Sequence, residues 1–340
     1  MQDLALPQRL FLTGGSGYVG RNLIRHFVAL GVEVVALARN DRACETVEAL
    51  GAQAVQGDLL AEGMSEAMQG CQALIHAAAH TGHGLPTPAQ RRVNVEGTQH
   101  ILAAAREAGI RRVVHLSTES VLLDGRPLIR ANESQPYPRR PAGGYSVTKA
   151  EAERIALAHN DARMEVIVLR PRFVWGRDDT TALPQLLKAV EKKRFAWVDG
   201  GRYLTSTTHI GNLMHGVERA LRAGKAGEVY FITDGEPVEF RGFITALLAT
   251  QGHTAPDKSV PRWLLRAIAT LSTWAATTSR GNRPPPVTLQ QFATSAVEVT
   301  LDISKARREL DYAPPIDREQ GLQELRDRRQ ADTGVPASAG

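Results

Sequence analysis

Short apolar runs alternate with helical patterns along the first half of the chain. The first helical pattern begins after a glycine-rich turn and ends at Leu30. Two further helical patterns cover 95–108 and 145–159. Because the apolar runs are rich in β-branched residues and lack a polar alternation, they are typical of parallel strands that helices cover on both faces. The pattern therefore predicts an α/β fold with a doubly wound parallel sheet. Its strands are expected at 9–13, 32–38, 54–56, 73–77, 112–117 and 164–170.

The second half of the chain has a different pattern. Helical periodicity dominates there, apart from a strand-like run at 228–232. We therefore expect a first domain at 1–176 and a smaller, mainly helical C-terminal region at 177–328, some elements of which return to the main sheet. The polar, small-residue tail at 329–340 is expected to be disordered.

The most apolar segment of the second half is 263–276. A helix there places basic and hydroxyl side chains on one face and apolar side chains, including Trp263 and Leu271, on the other. Such a helix is too short and too charged to span a bilayer. We expect its apolar face to pack on the protein's own core, and contact with a membrane surface is the alternative.

Charge and cysteine usage narrow the setting of the protein. The chain carries 41 Lys and Arg against 36 Asp and Glu, and this modest, scattered excess does not predict a nucleic-acid partner. Its two cysteines, Cys44 and Cys71, lie far apart without metal-ligand spacing, which predicts free thiols and no metal. The first nine residues include Asp3 and lack the apolar run of a signal peptide. We expect a soluble, cytoplasmic protein.

A glycine-rich turn joins the first strand to the first helix. Gly14, Gly17 and Gly20 give a G-x-x-G-x-x-G spacing, with Tyr18 and Val19 between the last two. Glycine permits a tight turn and a close approach of the backbone to a pyrophosphate, which the helix N-terminus then stabilises. Between a strand and a helix, this spacing predicts a dinucleotide site of the Rossmann type.

The end of the second strand indicates which dinucleotide binds. An acidic residue there would hold the 2′-hydroxyl of NAD(H), but the chain has Ala38 followed by Arg39, whose guanidinium suits a 2′-phosphate. The sequence therefore favours NADP(H) over NAD(H), and a solvated loop charge at Arg39 is the alternative. Further cofactor contacts are expected from Asp58, Leu59, Ala77, Ala78 and Ala79.

Tyr145 and Lys149 stand four residues apart in a predicted helix. Residues at this spacing share one helical face, and a nearby ammonium is expected to lower the pKa of the phenol so that proton transfer becomes feasible. The fifth strand ends at Ser117, and the hydroxyl of Thr118 beyond it is placed to reach the same carbonyl group. These residues predict acid–base chemistry beside a nicotinamide.

These motifs, together with the segments LSTESV, GYSVTKA, LRPRFVWG and YFITDGEP, resemble the extended short-chain dehydrogenase/reductase family. Within it the chain is most similar to the branch related to 3β-hydroxysteroid dehydrogenases, and to bacterial 2-alkyl-3-keto acid reductases and sterol dehydrogenases. The resemblance implies that Tyr145 exchanges the proton, that Lys149 holds the nicotinamide ribose and that Thr118 binds the substrate oxygen. It places Pro171 and Phe173 near the nicotinamide.

The resemblance also implies a homodimer, in which the helices that begin near Val95 and at Tyr145 pair across subunits. Alanines on both helices would allow close packing there, or they pack within one subunit. They are Ala103, Ala104, Ala105, Ala150, Ala152 and Ala156.

We therefore expect an NADP(H)-dependent oxidoreductase that interconverts a ketone and a secondary alcohol on a hydrophobic substrate. Arg172 is expected either to bind a substrate carboxylate or to pair with a nearby acid. The substrate candidates are Thr81, His83, Glu119, Arg172, Trp175, Leu183 and Leu186.

Two other functions are compatible with the fold. A nucleotide-sugar epimerase or dehydratase would use the same Tyr and Lys, but Arg39 and Gly211 disfavour it. A catalytically silent NADP-sensing protein would not need the intact set of Thr118, Tyr145 and Lys149.

Overall fold

The structure, a computed structural model, describes residues 3–82, 86–278 and 287–333. Within these residues the strands are β1 (Arg9–Thr13), β2 (Glu33–Ala38), β3 (Gln53–Gln56), β4 (Ala73–His76), β5 (Arg112–Leu116), β6 (Leu128–Ala131), β7 (Glu165–Pro171), β8 (Val174–Trp175), β9 (Trp197–Val198), β10 (Leu204–Thr205), β11 (Thr208–His209), β12 (Val229–Ile232), β13 (Val238–Glu239), β14 (Ser259–Val260) and β15 (Val299–Leu301).

The helices of the same residues are α1 (Tyr18–Ala29), α2 (Asp41–Glu48), α3 (Met64–Ala67), α4 (Pro88–Arg91), α5 (Gly97–Glu107), α6 (Gly144–Ala158), α7 (Ala182–Glu191), α8 (Ile210–Ala223), α9 (Phe240–Thr250), α10 (Arg262–Thr278), α11 (Leu289–Ser295), α12 (Ser304–Leu310) and α13 (Arg318–Thr333). A π-helical turn, Arg92–Glu96, leads into α5, and 3₁₀ turns lie at Glu119–Leu122 and Asp199–Gly201.

Seven parallel strands form the main sheet, in the order β12-β7-β5-β4-β1-β2-β3. Successive residues of a strand point to opposite faces. On β5, Val113 packs in the apolar cluster that includes α5, and Val114 packs in the cluster that includes α1 and α8. The predicted doubly wound parallel sheet is confirmed, with helices on both faces.

A second sheet, in the order β13-β10-β15-β6, lies outside the main one. The sequence analysis expected a mainly helical C-terminal region and predicted none of these short strands, because two to four residues carry too little alternation to be recognised. Strand β6 comes from the first half of the chain, and β12 joins the main sheet from the second half. Residues 329–333, expected to belong to a disordered tail, continue α13.

The helix at 263–276 is present as the main part of α10, but the expected packing of its apolar face is wrong. Ala269 is buried, whereas Trp263 and Leu271 are exposed. The buried side of the helix instead contacts the protein through the small Ala269 and through a hydrogen bond from Ser272 Oγ to the Val287 carbonyl oxygen at 2.7 Å. Among the described residues, every helix is too short or too polar to cross a membrane.

Most of the alanines expected at a dimer interface are buried inside the single chain. Their small side chains let α5 and α6 approach each other and the sheet closely, so the packing argument for a dimer loses its support. The homodimer stays a prediction. The buried alanines are Ala104, Ala105, Ala150, Ala152 and Ala156.

A buried ion pair fixes α6 to the sheet. Arg170 on β7 binds the Glu153 carboxylate on α6 through Nη2 at 2.5 Å and Nε at 3.0 Å. Tyr137 donates its hydroxyl to the same carboxylate at 2.5 Å, and Ser117 does so from the end of β5. Both charged side chains are almost fully buried, so the charge of each one offsets the cost of removing the other from water.

We predict that Glu153→Gln lowers the free energy of unfolding by about 3–5 kcal/mol, because it leaves the Arg170 cation buried without its counter-charge. Guanidinium unfolding followed by circular dichroism measures this loss. The matched control is Glu151→Gln on the same helix, whose partly exposed pair with Arg91 should contribute little, because solvent screens the two charges. Equal losses for the two variants would contradict the prediction.

Candidate active site

The glycine turn lies at the carboxyl end of β1, where the strand order of the sheet reverses. Gly14 has a φ of +76°, and a Cβ at this position would lie 2.8 Å from the backbone nitrogen of Ala78. A Cβ at Gly20 would overlap the carbonyl oxygen of Gly14. The turn therefore needs glycine at both positions, and it holds α1 directly against the strand end.

The residues around this turn fit a dinucleotide. The N-cap of α1 is Gly17, which offers no side-chain cap, and the first turn, with Tyr18 and Val19, has no acidic residue. Its backbone amides are therefore available to a pyrophosphate. Ala38 ends β2, and Arg39 follows it on the exposed surface.

Other expected cofactor residues lie at neighbouring strand ends. Asp58 follows β3 and accepts the Leu60 backbone amide at 3.1 Å. The buried Leu59 accepts a hydrogen bond from His100 Nδ1 through its carbonyl oxygen at 2.7 Å. The small-residue run after β4 is partly buried and comprises Ala77, Ala78 and Ala79.

The structure brings Thr118, Tyr145 and Lys149 to one place between β5 and α6. Tyr145 lies in the first turn of α6, and its phenol hydrogen-bonds with Thr118 at the end of β5. Lys149 is buried one turn later and donates from Nζ to the Leu116 carbonyl at 2.7 Å. The expected catalytic residues thus form one cluster.

The pKa of Tyr145 differs from expectation. Burial, and then the Glu119 carboxylate, raise this pKa well above its ordinary value, and the hydrogen bond with Thr118 opposes them. The spacing of Tyr145 and Lys149 predicted that the ammonium would lower this pKa. That expectation is wrong for this structure, because Lys149 is directed at the Leu116 carbonyl and a carboxylate acts on the phenol. Tyr145 therefore carries its proton at neutral pH.

Burial also lowers the pKa of Lys149 to about 8, and the Glu153 carboxylate one helical turn away opposes this shift. The ammonium is therefore the charged form at neutral pH and loses its proton in mildly alkaline solution.

Arg172 and Glu119 form a second buried ion pair beside these hydroxyls. Arg172 Nη1 donates to Glu119 Oε1 at 2.8 Å, and Thr118 donates to Glu119 Oε2 at 2.8 Å. The rest of the guanidinium binds Thr205 Oγ1 at 3.0 and 3.1 Å and the Thr294 carbonyl at 3.1 Å. Of the two hypotheses for Arg172, the structure supports the second, in which Arg172 pairs with a nearby acid, here Glu119.

The apolar substrate candidates lie in the core of the C-terminal region. Trp175 is wholly buried, donates to Asp234 Oδ2 at 2.8 Å and contacts Phe243 edge-on at 5.2 Å. Leu183 is buried in the same apolar cluster, and Leu186 packs against it.

The remaining candidates are dispersed. Thr81 is exposed, and His83 lies outside the described residues. Pro171 ends β7, and Phe173 beyond it adopts a φ of +42°, which is strained for an aromatic residue.

Sequence reasoning missed a hydrogen-bonded chain behind the cofactor site. The Ala78 amide donates to Thr13 Oγ1 at 3.2 Å, and Thr13 Oγ1 lies 2.7 Å from His76 Nδ1. His76 Nε2 lies 3.0 Å from Thr98 Oγ1, which donates to the Asn94 carbonyl at 2.7 Å. Because Thr98 gives its hydrogen to Asn94, it accepts from Nε2, and His76 Nδ1 accepts from Thr13.

Asn94 continues this chain to the catalytic helix. It lies in the π-helical turn before α5, and such turns are frequent at functional sites. Its Nδ2 donates to Thr148 Oγ1 at 3.0 Å, and its Oδ1 accepts the His80 amide at 2.7 Å. The available signal was a polar residue, His76, at the end of an apolar strand, and it was not used in predicting the site.

A model of the 3-beta hydroxysteroid dehydrogenase/isomerase family matches residues 11–262, about three quarters of the chain. The chain belongs to this family. It is therefore an oxidoreductase of the extended short-chain type that depends on a nicotinamide dinucleotide and interconverts a ketone and a secondary alcohol. The resemblance seen in the sequence is confirmed.

Individual members of the family are similar over nearly the whole chain. The 4-hydroxy-2-methyl-3-oxo-4-farnesyl-3,4-dihydroquinoline-1-oxide ketoreductase of Stigmatella aurantiaca is 50% identical, covering 96% of this chain and 98% of that protein. The 2-alkyl-3-oxoalkanoate reductase of Stenotrophomonas maltophilia is 31% identical, covering 94% and 98%.

The fold extends to more distant proteins. UDP-glucuronic acid 4-epimerase of Bacillus cereus, solved with UDP-glucuronic acid and NAD, has a TM-score of 0.74 at 20% identity and covers 95% of this chain and 99% of that one. This likeness shows the shared fold alone.

The lowered pKa of Lys149 predicts a pH-dependent stability of the cofactor-free protein. The pKa of Lys149 is about 8 in the folded state, against an ordinary value of 10.5 in the unfolded state. Between these two pH values the unfolded state binds more protons than the folded state, so the free energy of unfolding rises with pH. The wild type should therefore gain up to about 3 kcal/mol relative to Lys149→Met across this window.

Denaturant unfolding at a series of pH values measures this difference. A matched variant at the exposed Lys188, Lys188→Met, controls for the loss of a lysine as such. A difference between wild type and Lys149→Met that stays constant with pH would show that burial does not perturb Lys149.

Proposed function

We propose that the chain is a ketoreductase for a hydrophobic ketone and that NADPH is its preferred reductant. The observation that carries this proposal is the position of a protonated Tyr145 beside Thr118, with the Glu119 carboxylate opposing loss of the phenol proton. A group that holds its proton at neutral pH is suited to donate it to a developing alkoxide. The names of the relatives, a farnesylated quinoline ketoreductase and an oxoalkanoate reductase, support an apolar ketone.

The Thr118 hydroxyl lies between Glu119 and Tyr145 and hydrogen-bonds with both. Thr118 donates its hydroxyl hydrogen to Glu119 Oε2 at 2.8 Å, and its hydrogen bond with the phenol lowers the pKa of Tyr145 against the effect of burial. A substrate carbonyl held beside these two hydroxyls would receive the phenol hydrogen. The pair Glu119–Arg172 fixes the position of Thr118 while this transfer takes place.

The bound nicotinamide dinucleotide would supply the hydride, held by the amides of the glycine turn. As charge develops on the carbonyl oxygen, Tyr145 donates its proton to that oxygen and becomes a phenolate. The nearby Glu119 carboxylate destabilises this phenolate, which favours the return of a proton. Reprotonation from solvent restores Tyr145 for the next cycle.

Arg39 supports the choice of NADPH. It follows the last residue of β2 and is exposed, where it can approach a 2′-phosphate, and the preceding Ala38 offers no carboxylate to a 2′-hydroxyl. The next carboxylate, Asp41, lies at the start of α2 and accepts a hydrogen bond from Gln56 at 3.1 Å. The neighbouring Asn40 caps α2 through the Ala43 amide at 3.0 Å.

We predict that Arg39→Ala weakens NADPH binding by about tenfold or more and leaves NADH binding within about twofold, because one charge-assisted contact to phosphate is lost. Titration of each cofactor into the purified protein measures both affinities. Arg42→Ala, on the exposed first turn of α2, is the matched control. Tighter binding of NADH than of NADPH by the wild type would overturn the cofactor assignment.

We predict that Tyr145→Phe lowers kcat for a bulky apolar ketone by about 10²–10⁴, because the proton donor is removed while the ring stays in place. NADPH affinity and the unfolding midpoint should remain unchanged. Tyr230→Phe is the matched control, since its hydroxyl donates to Glu309 at 3.0 Å away from the site. Wild-type turnover by Tyr145→Phe with hydride transfer rate-limiting would refute the proton-donor role.

A further inference from the structure

An exposed apolar face runs along α10. Trp263 is 72% and Leu271 65% exposed, and they lie eight residues apart on one helical face with Ala267 between them. Leu264 and Ile268, also exposed, widen this face on one side. Exposed large apolar side chains that form a contiguous patch mark an interaction surface more often than isolated ones do.

The opposite side of α10 holds the helix to the protein. Ala269 is fully buried, and the hydroxyl of Thr273 accepts the Leu289 amide of α11 at 3.4 Å. At the start of the helix, Arg262 donates from Nε to the Ala296 carbonyl at 2.8 Å. Because these contacts fix the orientation of α10, its apolar face, defined by Trp263, Leu264, Ala267, Ile268 and Leu271, points away from the protein.

The segment that carries this face is basic. In the described parts of this segment, 258–278 and 287–297, there are three basic residues and no acidic residue. Arg266 is exposed and borders Trp263 on the helical surface. Two acidic residues near the start of α10 are already paired, Asp199 with Arg262 at 3.2 Å and Asp257 with Arg241 at 2.8 Å. The surroundings of the apolar face therefore complement an anionic partner.

We propose that the apolar face of α10 docks the protein onto the surface of an anionic lipid bilayer. A helix with apolar side chains on one side, an aromatic residue and basic flanks lies in the plane of the interface, and anionic lipids strengthen its binding. A second copy of the chain fits less well, because a symmetric contact would bring the cations of two such segments together without acids to pair them. The family match ends at Arg262, so this face lies beyond the matched residues.

This position has a consequence for substrate delivery, which rests on the proposed function. The neighbouring α11 contacts the active site at two points, through Gln290, which accepts the Ser146 hydroxyl at 2.9 Å, and through the Thr294 carbonyl, which accepts from Arg172. A bilayer at α10 would therefore lie near the site that receives an apolar ketone.

Flotation with lipid vesicles tests the docking without any substrate. The wild type should bind vesicles of phosphatidylcholine and phosphatidylglycerol, bind vesicles of phosphatidylcholine alone more weakly, and be released as salt is raised. Trp263→Ser/Leu271→Ser should lower the partition coefficient by about tenfold or more, and Arg266→Glu should lower it on the anionic vesicles. These side chains are exposed, so the fold should be retained. The control is Ile129→Ser on β6, where Ile129 is 64% exposed.

Three results would overturn the proposal. The first is that the wild type does not bind anionic vesicles at low salt. The second is that the Trp263→Ser/Leu271→Ser variant binds them as well as Ile129→Ser does. The third is that light scattering shows a wild-type dimer, which this double variant converts to monomers. The last result would assign the face to a second copy of the chain. Ketone reduction in detergent-free buffer by the double variant separates the two proposals, because it should match the wild type whether or not docking occurs.

Discussion

Two buried arginines at the end of β7 hold the catalytic edge of the sheet in place. Arg170 binds Glu153 and Arg172 binds Glu119, and all four charged groups are almost fully removed from solvent. An isolated buried ion costs several kcal/mol, so neither partner of a pair can be lost or displaced cheaply. Each carboxylate accepts a hydrogen bond from one of two consecutive side chains at the end of β5, Ser117 and Thr118.

This arrangement sets the charge that Tyr145 and Lys149 experience. The Glu119 carboxylate acts on the phenol and Glu153 acts on the ammonium, so each catalytic group has a different neighbouring acid. The phenol therefore keeps its proton while the buried ammonium keeps its charge near neutrality. In the proposed function, a site with this balance donates a proton to the ketone oxygen.

The sequence predicted the main sheet, the glycine turn and the Tyr145–Lys149 pair, because these features depend on residues close together along the chain. Arg172 and Glu119 are 53 residues apart, and their pairing depends on how β5 and β7 meet. The local sequence pattern could therefore suggest that Arg172 pairs with an acid, but it could not identify that acid as Glu119. The helix α10 shows the same limit, because periodicity defines its apolar face but not the direction in which that face points.

The hydrogen-bonded chain through His76 explains why pH should act on the site through Lys149. Burial, with the charge of Lys149, lowers the pKa of His76 to about 3, so the imidazole is uncharged around neutral pH. A neutral ring can accept from Thr13 and donate to Thr98, whereas a protonated ring would donate at both nitrogens and break the first bond. The connection from the glycine turn to Asn94 and α6 therefore keeps its hydrogen bonds around neutral pH, whereas Lys149, with its pKa of about 8, loses its charge in mildly alkaline solution.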